Sequence, residues 1–211
     1  MKPMSFGRIA SRLFPEHFRP VTRCLASDYP MCPELAGTRL GEVLKSFRPG
    51  SPLIDAHNRL LGPDRLEAED GVVVFGEEHQ HVSYWGVAVA DLAADDPPVL
   101  RAENREPIAW HPEFDRLDTF LSVFCLWQAI NGAWPFHGAG RTGPNGVTKQ
   151  LRSQLEPIPL RANGSGLAFF AGGSERIVAI AGRELFAAAR TEAAWTALQR
   201  AAPAIEPQHE T

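Results

Sequence analysis

The segment from Gly71 to Val99, GVVVFGEEHQHVSYWGVAVADLAADDPPV, constrains the fold more than any other part of the chain. Val72 to Phe75 is a short run of β-branched and aromatic residues. From Val82 to Val89 apolar side chains fall on both faces, with Trp85, Val87 and Val89 set against Val82, Tyr84 and Ala88. This pattern predicts the two strands of a buried central hairpin, joined by an acidic, histidine-rich connector. Asp95 and Asp96 can bond the backbone of the turn they start, while Pro97 and Pro98 remove two donors and fix φ, so the strand must stop there.

The flanking periodicities supply the other elements. Phe6, Ile9, Leu13 and Phe14 share one helical face opposite Arg8 and Arg12, with Ser5 as expected N-cap and Pro15 as terminator. Ten residues are too few for a stable isolated helix, so packing on the protein's own body is expected over partner contact or membrane binding. Residues 19–31 read as a connector. Pro33 suits the first turn of a helix carrying Leu40, Val43, Leu44 and Phe47, which Pro49-Gly50 ends. Residues 100–114 are polar, with Trp110 as their one large apolar anchor.

Leu117, Phe120, Leu121, Phe124 and Trp127 mark a further helix, with Asp118 as expected N-cap and Asn131-Gly132 closing it. From Gly138 to Gly146 the glycine content predicts a loop. Three apolar runs, Leu167–Phe170, Ile177–Ile180 and Leu185–Ala189, predict a β-meander. Thr191 then caps a final helix with Trp195, Leu198 and Ala202 on one face, ended by Pro203. The expected organisation is an N-terminal helical extension and connector (1–32), one α+β domain (33–203) whose mostly antiparallel twisted sheet is continued by the meander, and a tail (204–211).

Several residues of the central segment carry a family resemblance. Glu77-Glu78-His79-Gln80 followed by Trp85-Gly86 and then Asp96-Pro97-Pro98-Val99 resembles the core of the SUKH superfamily. The lead-in Leu60-Leu61-Gly62-Pro63-Asp64-Arg65-Leu66 is similar to the family's Leu-x-x-Pro-acid-x-Leu, and Trp110 and the Phe120-Leu121 helix extend the likeness over residues 33–136. His79 stands where many members have Asn. Members are mostly bacterial immunity proteins that neutralise polymorphic toxins, with fungal cell-wall regulators as relatives. The resemblance thus implies a SUKH-like fold and a non-catalytic toxin-immunity role, or a regulatory or scaffolding role with a cellular protein partner.

Charge sharpens the immunity expectation. Residues 64–118 carry 14 acidic and 4 basic side chains, a balance of −10 within a chain of net charge −4. Such a region attracts a basic partner at long range and repels phosphates, so a protein partner is expected and direct nucleic-acid binding is not. The candidate partner-binding acids are Glu67, Glu69, Asp70, Glu77, Glu78, Asp95 and Asp96, and a toxin with a basic nuclease domain is the partner they suit best. Trp85, Gly86, Pro97, Pro98 and Trp110 are expected to shape the sheet.

No chemistry competes with that reading. His79 and His81, expected on one strand face, are two ligands where a metal site needs more, and no His-Glu-x-x-His or Cys-based spacing occurs. Gly138-Ala139-Gly140-Arg141-Thr142-Gly143 has the G-x-G-x-x-G spacing without the strand before it, the helix after it or the later carboxylate that a dinucleotide site needs. Neither a serine nucleophile elbow nor a phosphate-binding loop is present. No catalytic residue, cofactor or metal is expected. Cys24, Cys32 and Cys125 are expected as reduced thiols. No apolar run reaches the ~20 residues of a bilayer span and no secretory signal is evident, so a cytoplasmic location is expected.

Overall fold

The computed structural model describes residues 5–19, 35–62, 65–141, 147–160 and 166–208. The elements begin with α1 (Phe6–Leu13), α2 (Arg39–Ser46), β1 (Arg59–Leu60), β2 (Glu67–Glu69), β3 (Val72–Glu77), β4 (Ser83–Ala88), β5 (Val99–Glu103) and β6 (His111–Phe114). They continue with α3 (Leu117–Gln128), β7 (Phe136–Arg141), α4 (Val147–Gln154), β8 (Glu156–Ile158), β9 (Leu167–Gly172), β10 (Arg176–Ala181), β11 (Glu184–Ala189), α5 (Glu192–Ala201) and β12 (Glu206–Pro207). The fold is mixed α+β with two antiparallel sheets. The chain divides into a middle unit, Pro15–Leu121, and a terminal unit made of residues up to Phe14 and from Ser122 onward. Pro33, Cys24, Cys32, Pro63, Asp64, residues 20–31 of the expected connector and residues 142–146 of the expected glycine loop lie outside the described residues.

The middle unit holds a sheet in the order β1-β3-β4-β5-β6, with β2 also pairing β3. The hairpin expected from the hydrophobic pattern is β3–β4. Trp85 and Gly76 are paired while Val74 is paired with Gly86, so Phe75 is an extra, bulged residue. The bulge keeps Phe75 and Trp85 on one face, where both meet Phe120 of α3, with ring centroids 5.3 and 5.6 Å away. Phe114 joins them at 5.5 Å. Val73, Val87 and Val99 are fully buried, and by the alternation of strand side chains they share this inner face.

Gly86 explains the small residue after the tryptophan. A Cβ there would lie 2.3 Å from Val72 Cγ1 and 2.9 Å from the Val73 carbonyl oxygen, so the absent side chain lets β3 pack this closely, with the Trp110 ring on the same outer face 3.4 Å from that position. The stretch read as polar, residues 100–114, contains β6 and most of β5, which starts at Val99 as soon as the two prolines have turned the chain. Val82 and Val89, expected in the buried strand, are exposed at its two ends. The helix through Leu40 and Val43 forms, and its first turn is capped by Thr38, whose hydroxyl accepts from the Gly41 N–H at 3.1 Å.

In the terminal unit the meander β9–β10–β11 forms as expected, but it does not continue the first sheet. It belongs to a second one, ordered β12-β7-β11-β10-β9-β8. The start of the expected glycine loop is strand β7, paired along its whole length with β11. Its glycines are a packing feature: a Cβ on Gly140 would stand 2.0 Å from the Ala204 carbonyl oxygen, because the C-terminal segment runs directly against the strand. The expected tail is therefore ordered as far as residue 208, with Ile205 buried and β12 paired to β7. Thr191 caps α5 as expected, accepting from Ala194 N–H at 3.3 Å.

Helix α1 buries Phe6, Ile9, Ala10 and Leu13, so the first residues described are part of the terminal unit and not an extension of it. Arg190 ties its end down. The guanidinium donates to the Leu13 carbonyl and lies 4.9 Å over the Trp134 ring, placing a cation at a helix C-terminus and on a π face at once. Ser5 occupies the N-cap position without a side-chain bond. No helix among the described residues is long and apolar enough to cross a membrane.

The close approach at Gly140 has a measurable consequence. Gly140→Ala is expected to cost about 1–3 kcal/mol, in line with overpacking at a site that cannot widen freely. Urea unfolding with hydrogen exchange checks this, the loss of amide protection falling first on residues 204–208.

Candidate functional site

The acids of the central segment do not form one rim; the sheet separates them. Where β3 ends and β4 begins lie Glu77 and Glu78. Where β3 begins, β4 ends, β5 begins and β6 ends lie Asp70, Asp95 and Asp96, with Asp91 and Asp115 beside them. Glu67 and Glu69 belong to β2, in register with Val74 and Val72 of β3.

At the hairpin end the charges are already engaged. The Glu77 side chain is only 14% exposed, accepts from Arg59 Nη1 at 2.7 Å and lies 3.4 Å from His81 Nδ1. Glu78 accepts from the Gln80 N–H at 2.8 Å and so shapes the turn. His79 and His81 sit in that turn and not on one strand face; His81 adopts a positive φ of 58°. The Asn58 side-chain carbonyl accepts from the His79 N–H at 3.2 Å, and the His57 and His79 rings stack at 5.6 Å. Partial burial, and secondarily the neighbouring His79, hold the His57 imidazole below its usual pKa, while Glu78 pulls the other way.

At the opposite end Asp96 has a structural task. One carboxylate oxygen accepts from the Asp118 N–H at 2.9 Å and the other from Arg116 Nε, while the Pro97 carbonyl accepts from the Leu117 N–H at 2.8 Å. Asp96, and not Asp118, is thus the side chain that caps α3; Asp118 stands in the first turn and pairs with Arg39 at 3.1 Å. Pro97 is buried and Pro98 half-buried. Asp70, Asp95 and Asp115 are exposed and make no ion pair among the described residues. Asp115 was not among the expected acids; the pairing of β6 with β5 brings it to this end.

The remaining shaping residues sit on the sheet itself. Trp85 is half-buried on the inner face, and Trp110 is half-buried on the outer one over Gly86. Val74, Tyr84 and Leu100 are half-buried, and the pairing of Val74 and Leu100 with Gly86 sets them across the same outer face. No group of three or more His, Cys, Asp or Glu side chains that could hold a metal ion occurs among the described residues. Cys125 is a buried free thiol, and burial raises its pKa far above the usual range, away from nucleophilic use. No protein-family model, curated protein or solved structure matches the chain.

The two compact units carry opposite balances: Pro15–Leu121 has 10 basic and 19 acidic side chains, and the remainder 11 basic and 6 acidic. Balances of −9 and +5 make up the chain's −4.

Two measurements bear on these assignments. Asp96→Ala should cost about 1–2 kcal/mol in denaturant unfolding through loss of the helix cap, and Asp96→Asn clearly less, because the amide oxygen can still accept from Asp118. For His57, the folded-state pKa lies below the unfolded one. Its neutral form is therefore no burden above the unfolded pKa, and stability falls as pH drops through that value toward the folded one. An NMR titration should place the His57 midpoint below that of an exposed histidine, with His79→Asn raising it and Glu78→Gln lowering it further.

Proposed function

We propose that this protein is a non-catalytic binding protein of the toxin-immunity type, resembling SUKH immunity proteins, which neutralises a cognate toxin by occluding it. The observation that carries the reading is the concentration of charge in one compact unit: the −9 of residues 15–121 is accompanied by exposed carboxylates at Asp70, Asp95 and Asp115 that no internal cation neutralises among the described residues. An acidic surface of this kind accelerates capture of a basic protein and suits a nuclease domain, whose own substrate site must be positive. A cytoplasmic location accompanies this reading, since an immunity protein meets its toxin inside the cell it protects.

Co-expression with the product of the neighbouring gene tests the proposal. Growth arrest by that product alone, relieved when this chain is present and accompanied by a co-purifying complex, is the expected result. Arrest that persists with both proteins folded and abundant refutes immunity. A stable complex with a product that is not toxic shifts the reading to a regulatory or scaffolding partner.

A further inference from the structure

We propose that the outer face of the middle unit's sheet, from Tyr84 across Leu100 to the strand ends at Asp70, Asp95 and Asp115, is the surface that docks a basic partner protein. The inference rests on the binding reading above and locates its interface. The inner face is excluded because Phe75, Val73 and Val87 are fully buried there and Phe120 packs on the sheet. The hairpin end is disfavoured because Glu77 is paired with Arg59. The outer strands of the second sheet are short and carry Pro157 and Pro207, which blunt them as templates for strand addition.

On the outer face the situation differs. Val72 and Ala102 of this face are buried, whereas Val74, Tyr84 and Leu100 remain partly exposed on it, with half-buried Trp110 over Gly86. Val89, 42% exposed, lies at the same end as the three exposed aspartates. Apolar side chains that keep partial access beside unneutralised charge are the composition of an interface core and its polar rim. The charge decides the occupant. A second copy placing its −9 unit on this face meets like charge, and nucleic acid is repelled, whereas a protein presenting Lys or Arg around an apolar anchor is complementary; a copy approaching through its +5 unit is the self-association outcome of the test below.

The test measures association and dissociation rates of the full chain with the neighbouring gene's product, at low and high salt. Tyr84→Arg with Leu100→Arg is expected to raise the dissociation rate by about tenfold or more. Asp95→Lys with Asp115→Lys is expected to slow association several-fold at low salt and to remove most of its salt dependence, while Ser174→Lys, in the exposed turn between β9 and β10, changes neither. Circular dichroism checks folding; should the first pair of substitutions fail to fold, the aspartate pair, exposed and outside the core, carries the test alone. Wild-type binding with unchanged rates in the folded variants overturns this surface and leaves the binding reading standing. No complex with the wild type overturns both. Self-association abolished by the same substitutions assigns the face to a second copy and overturns the partner assignment.

Discussion

The middle unit depends on the joint between the Asp96-Pro97 turn and the start of α3. A helix begins with four backbone N–H groups that its own carbonyls cannot satisfy. Here two of them are met by the chain just ahead of β5: Asp96 accepts from Asp118, and the Pro97 carbonyl accepts from Leu117. That pairing sets where the helix enters. One turn later Phe120 arrives at the centre of an aromatic cluster, edge-on to Phe75 and Phe114 and tilted against Trp85. Aromatic pairs of this geometry contribute about 0.5–1.5 kcal/mol beyond area burial, so a displaced helix start is felt in three contacts together.

Once the inner face is committed to Phe120, the outer face is what the sheet has left to offer. The bulge at Phe75 matters here because β-strand side chains alternate: the additional residue keeps Phe75 and Trp85 on the same side, which in turn leaves Gly86 to face the other. The Trp-Gly pair is thus one device with two effects. Trp85 closes the core, and Gly86 leaves the room that Val72 and the Val73 carbonyl occupy on the other face, beside Trp110.

Elements with strong local periodicity were legible in the sequence: α1, α2, α3, the hairpin, the meander and α5 all appear where apolar spacing places them. The elements that were not legible owe their existence to distant partners. Strand β6 carries Pro112 and polar neighbours, and forms because β5 offers its edge. Strand β7 has the glycines of a loop, yet the C-terminal segment requires that lack of side chains to lie against it. The site was legible as composition and not as geometry. Asp95 and Asp96 are adjacent and chemically alike, but only the position of α3 makes one a cap and leaves the other exposed.

The same distinction governs what a charge count means. An ion-paired carboxylate such as Asp96 beside Arg116, or Glu77 beside Arg59, adds nearly nothing to the potential at a distance, because its cation cancels it within a few ångströms. The sources of long-range attraction are the unpaired acids. Among the middle unit's exposed acids without an ion pair in the described residues, Asp70, Asp95 and Asp115 gather at one end of the sheet, Glu106 lies at the other and Asp55 off the sheet, so the field is biased toward the aspartate end. A directional field selects an approach orientation before contact, and with screening over ~8–10 Å at physiological salt it acts only on a partner already close to that end. On the proposed docking surface, steering and docking would fall on adjoining parts, the aspartates governing how fast a partner arrives and the Tyr84–Leu100 face how long it stays.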